Sequence, residues 1–230
     1  MSKLPGQRGL ALPEPTVGGS YGYGLETLKK YFLEVLLITL VVFVLVSPFY
    51  IAKEAADNWD SGFALIIELF ALGFWLLILG PVEWGANVAM LKPVRGEKLE
   101  FLEIFAFQKN YLNVVLAHLL VTVIIGIGFL FLIVPGIIFA CRLAFVSYLV
   151  IDRKMEATEA IRESWRMTGG HSMTIFLMAL LAFPLVIAGL LLLGVGIIIA
   201  VMWIDLAFAA IYSAVAAKDI PAEKTISPQG

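Results

Sequence analysis

Cysteine is almost absent: Cys141 stands alone among 230 residues, inside an apolar run, so neither a disulfide framework nor a paired-thiol motif can form. Histidine is nearly as scarce. His118 and His171 lie far apart with no carboxylate at ligand spacing, which argues against a metal site. No GxSxG, HExxH, P-loop or GxGxxG pattern occurs, so the hydrolase, metalloprotease and nucleotide-binding chemistries that such motifs carry have no support. A non-enzymatic chain without a cofactor is the expectation. Charge is also thin, at 15% of residues with a formal net of −2, and that balance excludes an electropositive nucleic-acid surface.

What remains is apolar. Hydrophobic residues make up 61% of the chain against 34 charged side chains, and a soluble fold has too few polar groups here to cover its surface. Lipid must be the solvent. The apolar residues fall in runs. Residues 1–24, with Pro5, Pro13, Pro15 and six glycines, show no apolar period and read as a flexible tail. A first span is expected over about 31–52, a polar loop over Lys53 to Ser61, and a second span over about 62–91. Thirty residues of helix are roughly 45 Å long, more than the ~30 Å of hydrocarbon, so the second must tilt or break, with Pro81 as the natural place.

The stretch from Lys92 to Lys109 mixes charges with Leu99, Phe101, Phe105 and Phe107 and suits an interfacial helix. Residues 111–151 are long enough for two crossings, with the reversal expected at Pro135-Gly136, the pairing a type II turn takes. Between Asp152 and Thr168 the spacing is sharp. Ala157, Ala160, Ile161, Ser164, Trp165 and Thr168 recur on one helical face while Glu156, Glu159, Arg162, Glu163 and Arg166 fall elsewhere. Spans over about 172–193, kinked at Pro184, and 197–217 follow. A polar tail over 219–230 closes the chain, leaving 25–218 as one membrane domain.

The expected fold is therefore all-α: six transmembrane helices as three hairpins, with two interfacial amphipathic helices. Fourteen of the sixteen Lys and Arg residues fall in the N-terminal segment, the two amphipathic stretches and the C-terminal tail, so both termini are expected in the cytoplasm of a multi-pass inner-membrane protein.

Val134-Pro135-Gly136-Ile137-Ile138, followed by Arg142, Phe145, Tyr148-Leu149, Asp152, Glu159-Ala160, Ser164, Thr168 and Gly170-His171, resembles a large group of uncharacterised prokaryotic membrane proteins. The same pattern looks like the membrane region fused to some glycerophosphoryl diester phosphodiesterases. The resemblance implies a six-helix fold and no activity, because in the fused enzymes the chemistry resides in a separate soluble domain.

Arg142 sits inside the expected fourth span, where an unpaired arginine costs from about 2.5 to above 10 kcal/mol. Helix arithmetic offers Glu68, Asp205 and the deeper Glu83 as partners, so either an ion pair locks the helices or the four line a polar site. Arg162, Trp165 and Arg166 form a candidate interfacial surface. Pro81, Pro135, Gly136 and Pro184 are the candidate hinges or turns. Two functions compete. The first is a non-enzymatic membrane module binding membrane lipids or a membrane or cytoplasmic protein partner. The second is a small transporter or channel built around Arg142.

Overall fold

The computed structural model describes residues 13–56, 61–191 and 195–218. Among the described residues there are helices and no strands. In chain order they are α1 (Val17–Lys30), α2 (Phe32–Ala56), α3 (Ser61–Phe74), a π-helical turn (Trp75–Leu79), α4 (Gly80–Ala89), α5 (Leu91–Val94), a 3-10 segment (Phe101–Asn110), α6 (Tyr111–Phe131), α7 (Ile133–Arg142), α8 (Val146–Ile151), α9 (Ala157–Met167), α10 (Ser172–Leu191) and α11 (Val195–Lys218). Six stretches are long and apolar enough to cross a membrane: Phe32–Tyr50, Leu65–Val94, Leu102–Phe131, Ile133–Ile151, Ser172–Leu191 and Gly196–Lys218. This is an all-α polytopic membrane protein.

Helix α11 is the central post. Met202, Leu206, Ala207, Ala209, Ala210, Ile211 and Tyr212 are fully buried, and α1, α2, α4, α5 and α10 all pack on it. The run of alanines lets neighbouring backbones approach closely, which is how helices associate where lipid competes equally for apolar side chains. The outward faces of α2, α3, α6 and α10 carry exposed leucines and phenylalanines such as Leu33, Phe70, Leu130 and Phe183, as a hydrocarbon-facing surface requires.

The expected N-terminal tail is corrected over its second half. Its residues 1–12 lie outside the described residues, as does the tail over 219–230, but Val17 to Gly24 belong to α1. Thr16 caps that helix by accepting from the Gly19 N–H at 3.0 Å. What orders a glycine-rich segment is tertiary packing rather than propensity. The Tyr21 hydroxyl donates to the Met178 carbonyl at 2.9 Å, the Tyr23 hydroxyl to the Val94 carbonyl at 2.7 Å, and the Trp203 indole to the Tyr21 carbonyl at 2.8 Å. A Cβ on Gly24 would lie 3.0 Å from the Ala207 backbone nitrogen, so only glycine lets α1 settle onto α11. With Tyr21 beside Trp203 and Gly24 against Ala207, the two helices run in the same direction.

The reversal after the third span is also displaced. Leu132, extended at φ −165° and ψ 153°, turns the chain, and Pro135-Gly136 lies inside the first turns of α7. Proline is at home there because the first N–H groups of a helix have no intrahelical partner. Gly136 is not in the left-handed region that a type II turn demands. Its lack of a side chain serves packing, since a Cβ there would meet the Phe129 ring at 2.5 Å and one on Gly128 would meet the Gly136 Cα at 2.9 Å. Pro184 sits within a continuous α10.

The first amphipathic stretch is not one helix. Gly96, at φ 77°, stops α5, the next residues are irregular, and 3-10 turns lead into α6. The second forms α9 in the expected place, burying Ala157, Ala160, Ser164 and Met167.

Gly24→Ala is expected to lose about 1–3 kcal/mol through overpacking against Ala207. Gly22→Ala, where a Cβ meets nothing within 4 Å, is expected to gain up to ~1 kcal/mol from helix propensity. Thermal unfolding of the two variants in detergent, measured side by side, checks the opposite signs.

Candidate functional site

Both interruptions of the spans expose backbone polar groups that lipid cannot satisfy, and each is answered by side chains from a neighbouring element. In the second span, Pro81 has no N–H to give to Leu77 in α-helical register or to Leu76 in π register. The Tyr111 hydroxyl donates to the Leu77 carbonyl at 2.6 Å, and His118 takes the Leu76 carbonyl. The His118 ring is wedged between Trp75 and Trp84, with centroids at 5.0 and 5.2 Å. Gly80 lies so close that any Cβ would collide with the imidazole. The Nδ1 atom of His118 has no hydrogen-bond partner. The span that was expected to tilt or break at Pro81 therefore widens by a π turn and continues.

In the fourth span, α7 stops at Arg142 and α8 begins at Val146. The freed Arg142 carbonyl accepts from the Ser164 hydroxyl at 2.8 Å and the Thr168 hydroxyl at 3.1 Å, while the Phe145 N–H donates to Ser164 Oγ at 3.3 Å. Two hydroxyls on the buried face of α9 thus stitch the break. Asn113 of α6 secures the other end of α9. Its amide donates to the Met155 carbonyl and its oxygen accepts from the Ala157 N–H, both at 2.8 Å, supplying the cap that Glu156 does not.

The break redirects Arg142. Its guanidinium carbon lies 5.4 Å from the centre of the Trp165 ring, Nη1 donates to the Trp165 carbonyl at 3.4 Å, and a Cβ on Gly169 would stand 3.3 Å from it. Arg142 has no carboxylate within 4.0 Å among the described residues. The expected pairing with Glu68, Asp205 or Glu83 is not formed, because depth counted along a continuous fourth helix does not hold once α7 ends at Arg142 itself.

The four charged residues are therefore not one cluster. Glu83 of α4 and Asp205 of α11 lie within electrostatic reach of each other, and Asp205 also faces Tyr148, which stacks on Tyr212 at 4.6 Å. Glu83 closes a crevice of about 390 Å³ lined by Thr39, Ser47, Tyr50 and Val201. Glu68 belongs to a separate hollow of about 580 Å³ with Lys53, Tyr50 and Trp75.

The face carrying the two amphipathic stretches holds most of the organised charge. Arg95 binds Asp152 with two parallel hydrogen bonds of 2.7 Å, the fork geometry that suits a guanidinium and a carboxylate. That bond raises the Arg95 pKa against the opposing effect of burial. Sequence reasoning placed the two residues in different stretches and missed the pairing, which only the docking of α5 beside the end of α8 creates. Lys92 reaches Glu97 at 3.2 Å and Glu103 at 3.4 Å. On α9, Arg162, Trp165 and Arg166 are exposed. Arg166 grips Glu163 at 2.7 and 2.8 Å, holding that carboxyl below its ordinary range. Arg162 has no carboxylate within 4.0 Å among the described residues. This face presents exposed cations and an exposed indole.

Replacing Ser164 by Ala together with Thr168 by Val should cost about 2–6 kcal/mol, since the half-buried Arg142 carbonyl and the buried Phe145 N–H lose their partners at about 1–3 kcal/mol apiece. Loss of α9 protection in hydrogen exchange, with the other helices unchanged, is the measurement that checks it. Comparison of the chain with protein-family models, curated proteins and solved structures finds no match in any of the three.

Proposed function

We propose that this chain is a non-enzymatic module of the plasma membrane that binds anionic lipid on its cytoplasmic face, with both termini on that side. The observation that carries the reading is the state of Arg142: a guanidinium laid over an indole and left without a carboxylate among the described residues. Trp165, 41% exposed, and Arg162 extend the same surface. Tryptophan and arginine together are what a headgroup layer accommodates best. The resemblance to uncharacterised prokaryotic membrane proteins, and to the membrane region fused to some glycerophosphoryl diester phosphodiesterases whose chemistry resides in a separate domain, supports the same reading.

Purified protein offered equal phosphatidylglycerol and phosphatidylcholine is expected to retain the former preferentially by native mass spectrometry. Replacing Arg142 and Arg162 by alanine should reduce the preference about fivefold per residue, the equivalent of ~1 kcal/mol for each basic group near an anionic surface. Equal retention of both lipids by the unmodified protein would remove the reading.

One observation favours a second reading, a small transporter or channel. Glu83 follows the π-helical turn by four residues and lies within electrostatic reach of Asp205, and intramembrane carboxylates next to broken helices are features of ion pathways. Proton flux into reconstituted vesicles, present in the unmodified protein and abolished by Asp205→Asn, would support it. Vesicles no leakier than protein-free controls would retire it.

A further inference from the structure

A second cation cluster lies on the same face, apart from Trp165. A cavity of about 370 Å³ opens between α5, the 3-10 segment, the start of α6 and the end of α8. Its volume is at the small end of ligand pockets, about 300–1,000 Å³, which suits a headgroup rather than a whole lipid. Lys92, Arg95, Lys109 and Lys154 line it against only two carboxylates, Glu103 and Asp152. Both carboxylates are already engaged, Asp152 by Arg95 and Glu103 by Lys92. Among the described residues, Lys109 and Lys154 have no carboxylate within 4.0 Å. Lys109 and Lys154 therefore line the cavity without a carboxylate partner, while Lys92 is shared by Glu103 and Glu97.

A further observation bears on Lys154. Its φ of 55° makes it the sole non-glycine residue in the left-handed region among the described residues, a conformation that a side chain adopts at a cost and that clusters at ligand sites. The surrounding bonds enforce it. The Met155 N–H donates to the Leu149 carbonyl at 3.1 Å, and buried Asn113 holds the Met155 carbonyl and the Ala157 N–H. Glycine or asparagine would relieve the backbone, yet a lysine stands there. Apolar walls from Leu91, Val114, Val150 and Ile151 complete the cavity, so a headgroup could enter with the base of its glycerol against hydrocarbon-like surface.

We infer that this cavity receives the terminal phosphate of a phosphomonoester lipid, of which phosphatidic acid is the simplest. A phosphomonoester carries about −1.5 to −2 charges at pH 7, matching the two free lysines, whereas a phosphodiester headgroup supplies only one. The inference deepens the lipid-binding reading and rests on it.

The test is competitive lipid retention by the full chain in detergent, read by native mass spectrometry with phosphatidic acid, phosphatidylglycerol and phosphatidylcholine as probes. The unmodified protein should retain phosphatidic acid above phosphatidylglycerol. The double variant Lys109→Gln, Lys154→Gln should lower phosphatidic acid retention by about tenfold or more, as expected for losing two basic contacts to an anionic headgroup, with phosphatidylglycerol retention little changed. Lys154→Gly, which keeps the turn and removes the cation, should lose the same selectivity while unfolding at a higher temperature. Undiminished phosphatidic acid retention in either variant would overturn the inference, as would an unmodified protein that prefers phosphatidylglycerol. In both of those outcomes the preference for anionic over neutral lipid survives, so the broader reading stands. Displacement of the lipid by millimolar sn-glycerol 3-phosphate or inorganic phosphate would assign the cavity to a soluble phosphate and overturn the lipid assignment.

Discussion

Hydrocarbon donates and accepts no hydrogen bonds, and the architecture turns on where each interrupted helix finds replacements. The Pro81 interruption is closed by Tyr111 and His118 from α6, and the Arg142–Phe145 interruption by Ser164 and Thr168 from α9. Asn113, also on α6, ties down the start of α9. Helix α6 thus serves two neighbours from opposite sides: Tyr111 and His118, seven residues apart on one face, close the second span, and Asn113 on the other side holds α9. Helix α9 and a transmembrane helix are bound into one unit by these bonds, which fix the orientation of the exposed face of α9.

The six spans were legible because length and hydropathy alone separate a crossing helix from any alternative at this composition. The position of α9 was legible too, since its small and apolar residues recur at helical spacing. Helix α1 was not. Its order comes from Tyr21, Tyr23 and Gly24 meeting partners about 70 to 180 residues away, and a tyrosine hydroxyl aimed at a distant carbonyl leaves no local pattern. The four-residue spacing of Ser20 and Gly24, both buried, was the one available hint of a close-packed face.

Arg142 shows the same limit at the candidate site. Its charge and its place in an apolar run were plain, but its partner depended on whether the helix stays continuous past it. The polar and aromatic residues that follow it in the chain have structural work in common. Ser164 and Thr168 hold the Arg142 carbonyl, Phe145 and Tyr148 pack on Tyr212, and Asp152 binds Arg95. These residues mark how the fourth span is broken and mended.

The alignment of α1 with α11 bears on biogenesis. The indole that grips Tyr21 lies 182 residues downstream, so α1 cannot reach its seat until α11 has been synthesised. Until then a glycine-rich segment that hardly sustains helix alone must wait, unstructured, beside the insertion machinery. Docking of α1 therefore reports that α11 is in place, and without α11 a glycine-rich segment is left open to proteases.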